Sequence, residues 1–117
     1  MGDLRGDFAP KVEFIIFMQK GRRLINGKRD PNIFKFSRTG NVYHPTEKPV
    51  DLFEYLLSKF SNEKDTILDP FAGSGTTGVA CKNLNRNFIL IEKEPEYVEI
   101  IKKRLSVIPD NTKSLQK

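Results

Sequence analysis

Alternating apolar and polar stretches divide the chain into a short series of predicted strands and helices. Residues 12–18 (VEFIIFM) are rich in Ile and Phe and predict a largely buried strand, with Phe14 and Phe17 in the core. Pro49 is followed by apolar side chains at the i, i+3, i+4 and i+7 spacing of an amphipathic helix. We therefore expect a helix over residues 49–60.

The second half of the chain predicts strand, helix, strand and helix in immediate succession. Residues 66–68 (TIL) and 88–92 (FILIE) are apolar runs of strand length, with a helix expected between them over residues 76–84. Pro95 opens a last amphipathic helix, and residues 33–36 suggest one further short strand. Because a helix joins the two consecutive strands, the sheet should be parallel with a right-handed crossover.

A glycine-rich turn joins the first of these two strands to the following helix, at residues 69–77 (DPFAGSGTT). Gly73 and Gly75 let the backbone turn sharply and approach a ligand that a Cβ would push away. Free N–H groups at the start of the helix favour an anionic group such as a carboxylate. Glu92 follows about 20 residues later, where an acidic residue typically holds a ribose diol. The pattern predicts a nucleotide-type ligand site.

The glycine pattern alone does not name the ligand, because residues 73–78 (GSGTTG) also fit the dinucleotide pattern G-x-G-x-x-G. A Walker phosphate loop is excluded, since Val and Ala follow the third glycine where Lys and Ser or Thr are required. Asp69 would repel a pyrophosphate and suits a ligand with a cationic group, while Phe71 can pack against adenine or a thioether chain. S-adenosylmethionine carries such groups, and a nicotinamide oxidoreductase is the less favoured alternative.

Three motifs in order resemble the C-terminal part of an amino-type DNA methyltransferase, the family that methylates adenine at N6 or cytosine at N4. The resemblance is to the variant whose cofactor motifs follow the catalytic region. Residues 44–49 (HPTEKP) resemble the segment before the first cofactor-binding helix, residues 69–77 the glycine loop, and residues 91–93 (IEK) the ribose strand. The resemblance covers residues 43–105, and residues 12–21 resemble the strand that precedes the cofactor region in that family.

The resemblance implies an α/β fold, namely a partial Rossmann-like S-adenosylmethionine-dependent methyltransferase fold with a parallel βαβ core and an incomplete sheet. It divides one partial domain into residues 1–42 (strand plus basic loop), 43–108 (cofactor-binding region) and 109–117 (tail). The family's catalytic signature, Asp, Asn or Ser followed by Pro-Pro and an aromatic residue, is absent from the sequence. The nearest strings, residues 30–33 (DPNI) and 69–72 (DPFA), lack the second proline. We therefore assign no catalytic residue and expect a fragment, truncated product or split half that is inactive alone.

The resemblance also implies which residues bind the cofactor, S-adenosyl-L-methionine, with Lys48 or Thr46 near its carboxylate. The expected set is His44, Thr46, Lys48, Asp69, Phe71, Gly73, Ser74, Gly75, Thr76 and Glu92. Cys81 is expected to be a small core residue rather than a nucleophile. One histidine and one cysteine argue against a metal site.

Composition and charge narrow the class of protein further. With 117 residues, 38% of them hydrophobic, the chain has room for one small globular domain. The single cysteine fits a reducing compartment, and the sequence has no apolar run of membrane-spanning length, so we expect a soluble cytoplasmic protein without a membrane partner. The net charge of +5 is compatible with a polyanionic partner.

Positive residues form a central cluster and a terminal cluster. The central one is interleaved with glycines and phenylalanines, as in a loop that follows a DNA backbone, and we expect Arg22, Arg23, Lys28 and Arg29 to contact duplex DNA. A solvated surface loop is the alternative. The terminal cluster is interpreted as structural. Other expected partners are a complementary N-terminal methyltransferase chain or a second copy of this chain. The alternative function is that of a non-catalytic module, which binds cofactor or DNA or assists assembly.

Overall fold

The computed structural model of the chain describes residues 13–30, 35–36 and 48–109. Five elements follow one another in the last range: helix α1 (Val50–Phe60), strand β1 (Thr66–Asp69), helix α2 (Thr76–Asn83), strand β2 (Asn87–Leu90) and helix α3 (Pro95–Ser106). The three predicted helices and the two strands between them are thus confirmed, with bounds shifted by one or two residues. None of the helices in the described ranges has the length and apolar character needed to cross a bilayer.

Helix α1 begins directly after Pro49, which has an extended backbone conformation and caps the helix rather than forming its first residue. Asp51 in the first turn and Lys59 in the last turn complement the helix dipole. The apolar face of the helix is partly buried and packs against α2. The amphipathic pattern therefore located this helix correctly.

Strands β1 and β2 pair in parallel, with Thr66 opposite Asn87 and Asp69 opposite Leu90. Helix α2 connects them and packs against β2 and α3. The predicted parallel βαβ unit is confirmed. Within the described ranges, the sheet consists of these two strands.

Two glycines determine how closely α2 approaches its neighbours. Gly75 has a φ of +89°, and a Cβ at this position would lie 2.9 Å from Cγ1 of Ile101 on α3. A Cβ on Gly78 would lie 2.7 Å from Cδ1 of Leu90 on β2. Both distances are shorter than van der Waals contact, so a side chain at either position would require the facing Ile101 or Leu90 side chain to shift or α2 to move away from it.

Arg86 joins the carboxyl ends of α1 and α2. Its Nε donates to Oγ of Ser61 (3.0 Å) and its Nη2 to the Ser61 carbonyl oxygen (2.8 Å), while Nη1 donates to the carbonyl oxygen of Leu84 (2.8 Å). Ser61 and Leu84 are the residues at which the two helices end. Carbonyl groups at a helix end lack partners inside the helix, so one guanidinium satisfies both ends and fixes them relative to each other.

The predicted buried strand over residues 12–18 is wrong for the part that the structure describes. Residues 13–18 form no strand, and the expected core residues Phe14 and Phe17 are 92% and 57% exposed. Apolar composition favours a strand only where a neighbouring strand accepts its backbone hydrogen bonds, and neither β1 nor β2 pairs with this segment. Instead, the Phe17 ring stacks on that of Phe60 at the end of α1, with 4.7 Å between the ring centroids.

The predicted short strand over residues 33–36 is only partly covered by the structure. Lys35 and Phe36 are not in a strand, and residues 33–34 lie outside the described residues. The Phe36 ring instead lies 5.9 Å from that of Tyr55 on α1.

The close packing at Gly75 predicts a specific stability effect. Gly75→Ala should lower the free energy of unfolding more than Gly21→Ala, by about 1–3 kcal/mol, because it adds overpacking to backbone strain. Gly21 is a matched control, since its φ of +76° is similar but no atom lies within 4 Å of an added Cβ. Urea unfolding followed by circular dichroism measures both; equal losses would contradict the packing constraint.

The buried Cys81 predicts a pH dependence of stability. Burial raises the pKa of its thiol from 9.0 to about 11; the charge of Arg86 opposes this shift and that of Asp69 adds to it. Because the folded pKa lies above the unfolded one, this contribution to stability is complete below pH 9 and is lost as the pH rises through 11. Over that window, the unfolding free energy of the parent should fall relative to that of Cys81→Ala; parallel curves would refute the prediction.

Candidate functional site

A cleft with a volume of about 700 Å³ opens at the carboxyl ends of β1 and β2. This edge of a parallel sheet is where α/β proteins typically bind ligands. The cleft is lined by Lys48, Phe53, Asp69, Pro70, Phe71, Ala72, Gly73, Ser74, Thr76, Thr77, Ile91, Glu92 and Lys93. All predicted cofactor-binding residues in the described ranges, except Gly75, are among them.

The Glu92 carboxylate holds the glycine loop against the segment that follows β2. Its Oε1 accepts a hydrogen bond from the N–H of Gly73 (2.8 Å) and its Oε2 accepts one from the N–H of Glu94 (3.0 Å). Gly73 has a φ of +57°, a conformation that few other residues adopt without strain. A carboxylate has about four lone-pair sites, so Glu92 can accept further hydrogen bonds from a ligand.

Asp69, the last residue of β1, fixes the turn and the start of α2 together. Its Oδ1 accepts a hydrogen bond from the N–H of Phe71 (3.0 Å), and its Oδ2 accepts one from Oγ1 of Thr77 (2.6 Å). Asp69 therefore has a structural role in addition to its position on the cleft wall.

The loop is also tied to its surroundings through backbone atoms and through α3. The N–H of Ile91 donates to the Asp69 carbonyl oxygen, and the N–H of Ala72 donates to the Ile91 carbonyl oxygen, both at 2.9 Å. On the other side, Nη1 of Arg104 donates to the carbonyl oxygen (2.9 Å) and to Oγ (3.1 Å) of Ser74. Ser74 is buried, and these contacts give Arg104 the structural role that its cluster was predicted to have.

Three further residues of differing chemistry line the cleft. The Phe71 ring is 88% exposed, which leaves an apolar surface free to pack against a ligand. The Lys48 ammonium lies 3.0 Å from a carboxylate oxygen of Glu13, and both side chains are substantially exposed. Thr76 donates through Oγ1 to the Lys48 carbonyl oxygen (3.3 Å), which ties the segment before α1 to the start of α2.

Some predicted site residues lie elsewhere or were missed. His44 and Thr46 lie outside the described residues. Gly75 packs against Ile101 and does not belong to the described cleft lining. Thr77 and Lys93 lie within the predicted motifs but were not in the predicted cofactor-binding set, because the contact of Thr77 with Asp69 and the position of Lys93 on the cleft wall depend on the fold.

The four predicted DNA-contacting residues lie on an exposed segment, residues 19–30, which we call the basic arm. Arg22, Arg23, Lys28 and Arg29 are all exposed, and among the described residues none of them forms an ion pair. The arm contacts the carboxyl end of α1 through Asn26. Its cations are therefore accessible on a segment that is attached to the folded core.

Comparison with known proteins places these features in one family. The model of a family of DNA methylases of the N6/N4 type matches residues 2–103. The type II methyltransferase M.HpaI of Haemophilus parainfluenzae is 42% identical over an alignment of 106 residues, and the match covers 84% of this chain and 34% of that protein. The chain thus spans about a third of this relative's length.

Solved structures give the same result. The crystal structure of the M1.HpyAVI–SAM complex matches with a TM-score of 0.58 and 44% identity, over 72% of this chain and 44% of the other. The cytosine-N4-specific PvuII DNA methyltransferase matches with a TM-score of 0.59 and 26% identity, over 71% and 33% of the two chains. The described elements are therefore part of a Rossmann-like methyltransferase fold, and the chain belongs to the N6/N4 family of DNA methylases.

Proposed function

We propose that the cleft binds S-adenosylmethionine and that this chain forms the cofactor-binding part of a DNA methyltransferase acting on the amino group of adenine (N6) or cytosine (N4). One observation carries the proposal: two carboxylates, Asp69 and Glu92, and the left-handed turn at Gly73 meet in a single cleft at the carboxyl ends of parallel strands. That combination suits a ligand with hydroxyl groups and positive charge, and it repels a pyrophosphate.

The residues of the cleft fit the parts of this cofactor. Glu92 has lone pairs left for the two hydroxyl groups of a ribose. Asp69 supplies negative charge for an ammonium, and the exposed Phe71 ring supplies an apolar face for adenine. Lys48 would meet the cofactor's carboxylate, which would replace Glu13 as its partner. Since that surface ion pair contributes little, exchanging it should cost about 0–1 kcal/mol.

The bound cofactor would supply the electrophilic methyl group, and the residues described here would hold and orient it. Asp30 and Asp69 begin the two strings that most resemble the family's catalytic signature, and both have other roles. Asp30 accepts a hydrogen bond from Tyr55 and pairs with Lys59 at 3.1 Å, and Asp69 is bound to Thr77. Neither Asp30 nor Asp69 is followed by Pro-Pro and an aromatic residue, so we propose that this chain alone binds cofactor without transferring the methyl group.

We further propose that a complementary methyltransferase polypeptide completes the site. Leu68 on β1 and Ile89 on β2 are register partners on one face of the sheet, and they are 60% and 54% exposed. Ile91, which follows β2, is half-exposed as well. An apolar sheet face of this kind favours a covering partner.

Calorimetry tests the cofactor. The chain should bind S-adenosylmethionine or its demethylated product and not NADH. Glu92→Gln and Asp69→Asn keep the side-chain shape but remove the charge, and each should weaken binding by about 1–3 kcal/mol if a charged hydrogen bond is lost. Glu99→Gln is the matched control, because Glu99 is an exposed acid on α3 outside the cleft. NADH binding without S-adenosylmethionine binding would refute the proposal and support the oxidoreductase alternative.

A methyl-transfer assay tests whether this chain binds the cofactor without catalysing the transfer. The 117-residue chain should not move a tritiated methyl group from the cofactor to mixed-sequence DNA. Adding a polypeptide that carries the catalytic signature of a related methyltransferase should give activity, because it supplies the residues that orient the target amino group. Without them, misplacement of the reacting groups alone can reduce a rate about 100-fold. Robust transfer by the chain alone would show that its catalytic residues have been missed. Cofactor binding with no activity in any combination would favour the non-catalytic module.

A further inference from the structure

We propose that Asn26 is a positioning residue, which holds the basic arm on the carboxyl end of α1 in the conformation that contacts the phosphates of duplex DNA. This role rests on the proposed DNA methyltransferase function. It adds a residue outside the cofactor motifs, and it makes the attachment of the arm, in addition to its charge, a determinant of DNA affinity.

Asn26 supplies the hydrogen bonds that the end of α1 requires. The last carbonyl groups of a helix lack partners within it. The Asn26 N–H donates to the carbonyl oxygen of Lys59 (2.9 Å), and its Nδ2 donates to the carbonyl oxygens of Ser58 (2.9 Å) and Ser61 (2.8 Å). A residue far earlier in the chain thus caps this helix, and the fixed carbonyl positions in turn fix Asn26.

A second contact fastens the end of the arm to the same helix. Asp30 forms an ion pair with Lys59 and accepts a hydrogen bond from the Tyr55 hydroxyl. The hydrogen bonds from Tyr55 and then Lys59 hold the pKa of Asp30 below its usual value, so the carboxylate stays ionised to a lower pH than that of a free aspartate. Lys59 also donates to the Lys28 carbonyl oxygen. The arm is therefore attached at Asn26 and again at residues 28–30.

The basic arm is rich in positive charge from residue 19 to residue 29. This stretch contains Lys20, Arg22, Arg23, Lys28 and Arg29, and no acid. The two described acids that flank it are engaged, since Glu13 pairs with Lys48 and Asp30 with Lys59. Two glycines with positive φ, Gly21 and Gly27, flank the segment that contains Arg22 and Arg23. Exposed guanidinium groups on an attached backbone suit the regularly spaced phosphates of a duplex better than an acidic protein surface.

Attachment matters because a flexible arm would have to be ordered when DNA binds. Apparent affinity falls in proportion to the fraction of molecules that hold the binding-competent conformation. If removal of the Asn26 hydrogen bonds reduces this fraction to about one tenth, DNA affinity falls about tenfold. The number of cations is unchanged, so the salt dependence of binding should keep its slope while the affinity drops at every salt concentration.

Fluorescence anisotropy with a labelled mixed-sequence duplex, titrated at several salt concentrations, tests this role in the full 117-residue chain. Asn26→Ala should weaken binding about tenfold with the same log-log slope. Asn26→Gln, which restores the amide on a longer side chain, should recover part of the affinity. Replacing Arg22 and Arg23 together by Gln should flatten the slope by about 0.9 for each phosphate that the arm no longer neutralises.

Ser61→Ala is the matched control for a purely structural effect. It removes the hydroxyl that donates to the Leu57 carbonyl oxygen and accepts from Arg86, so it weakens the same helix end but keeps the Ser61 carbonyl oxygen that accepts from Asn26. If Ser61→Ala lowers the melting temperature but leaves DNA affinity unchanged, the effect of Asn26→Ala is one of positioning. Equal reductions of DNA affinity in both variants would overturn the role of Asn26, as would wild-type affinity in Asn26→Ala.

The remaining outcomes separate this role from the proposed function. If the paired arginine substitution changes neither affinity nor slope, the arm does not contact DNA, and the positioning role falls with it. Calorimetric binding of S-adenosylmethionine should be the same in all these variants, because none of the residues lines the cleft. Loss of cofactor binding in Asn26→Ala would mean that α1 as a whole has shifted, which contradicts a local role.

Discussion

The approach of α2 to its neighbours is the constraint on which the rest of the structure depends. At Gly75 and Gly78 the backbone lies so close to Ile101 and Leu90 that a Cβ has no room. The helix also buries Ala80 and Cys81 completely, so its inner face is made of small residues. Small residues allow close approach, but they bury little apolar area. Since burial stabilises by about 25 cal/mol per Å², they contribute little hydrophobic free energy. The fold therefore also depends on polar contacts, such as the hydrogen bonds of Arg86, which hold the ends of α1 and α2 together.

The same constraint shapes the cleft. With α2 held against β2, the turn between β1 and α2 passes in front of the strand ends, where Asp69 and Glu92 accept hydrogen bonds from it. The two carboxylates are thus oriented by their hydrogen bonds to the loop. Such preorganisation reduces the conformational cost of binding. The acids that a ligand would contact are also the acids that hold the loop, which links cofactor affinity to loop stability.

The sequence was most informative where a local pattern has a local cause. The helix after Pro49, the apolar strands and the glycine turn depend on neighbours in the chain, and the structure contains all of them. The strand predicted over residues 12–18 depends on a partner strand, which composition does not reveal, and Phe14 is exposed instead. In the cleft, Glu92 and Asp69 followed from spacing, whereas Thr77 and the Arg104–Ser74 contact depend on three-dimensional packing.

Helix α1 connects the cleft with the basic arm. At its start, the Lys48 carbonyl accepts a hydrogen bond from Thr76, and at its end the carbonyls of Ser58 and Lys59 accept hydrogen bonds from Asn26. Its 11 residues span roughly 16 Å. The phosphate contacts proposed for the arm would therefore lie at the end of α1 opposite the cleft. Contacts of this kind supply affinity and register, and they leave sequence recognition to other parts of a methyltransferase.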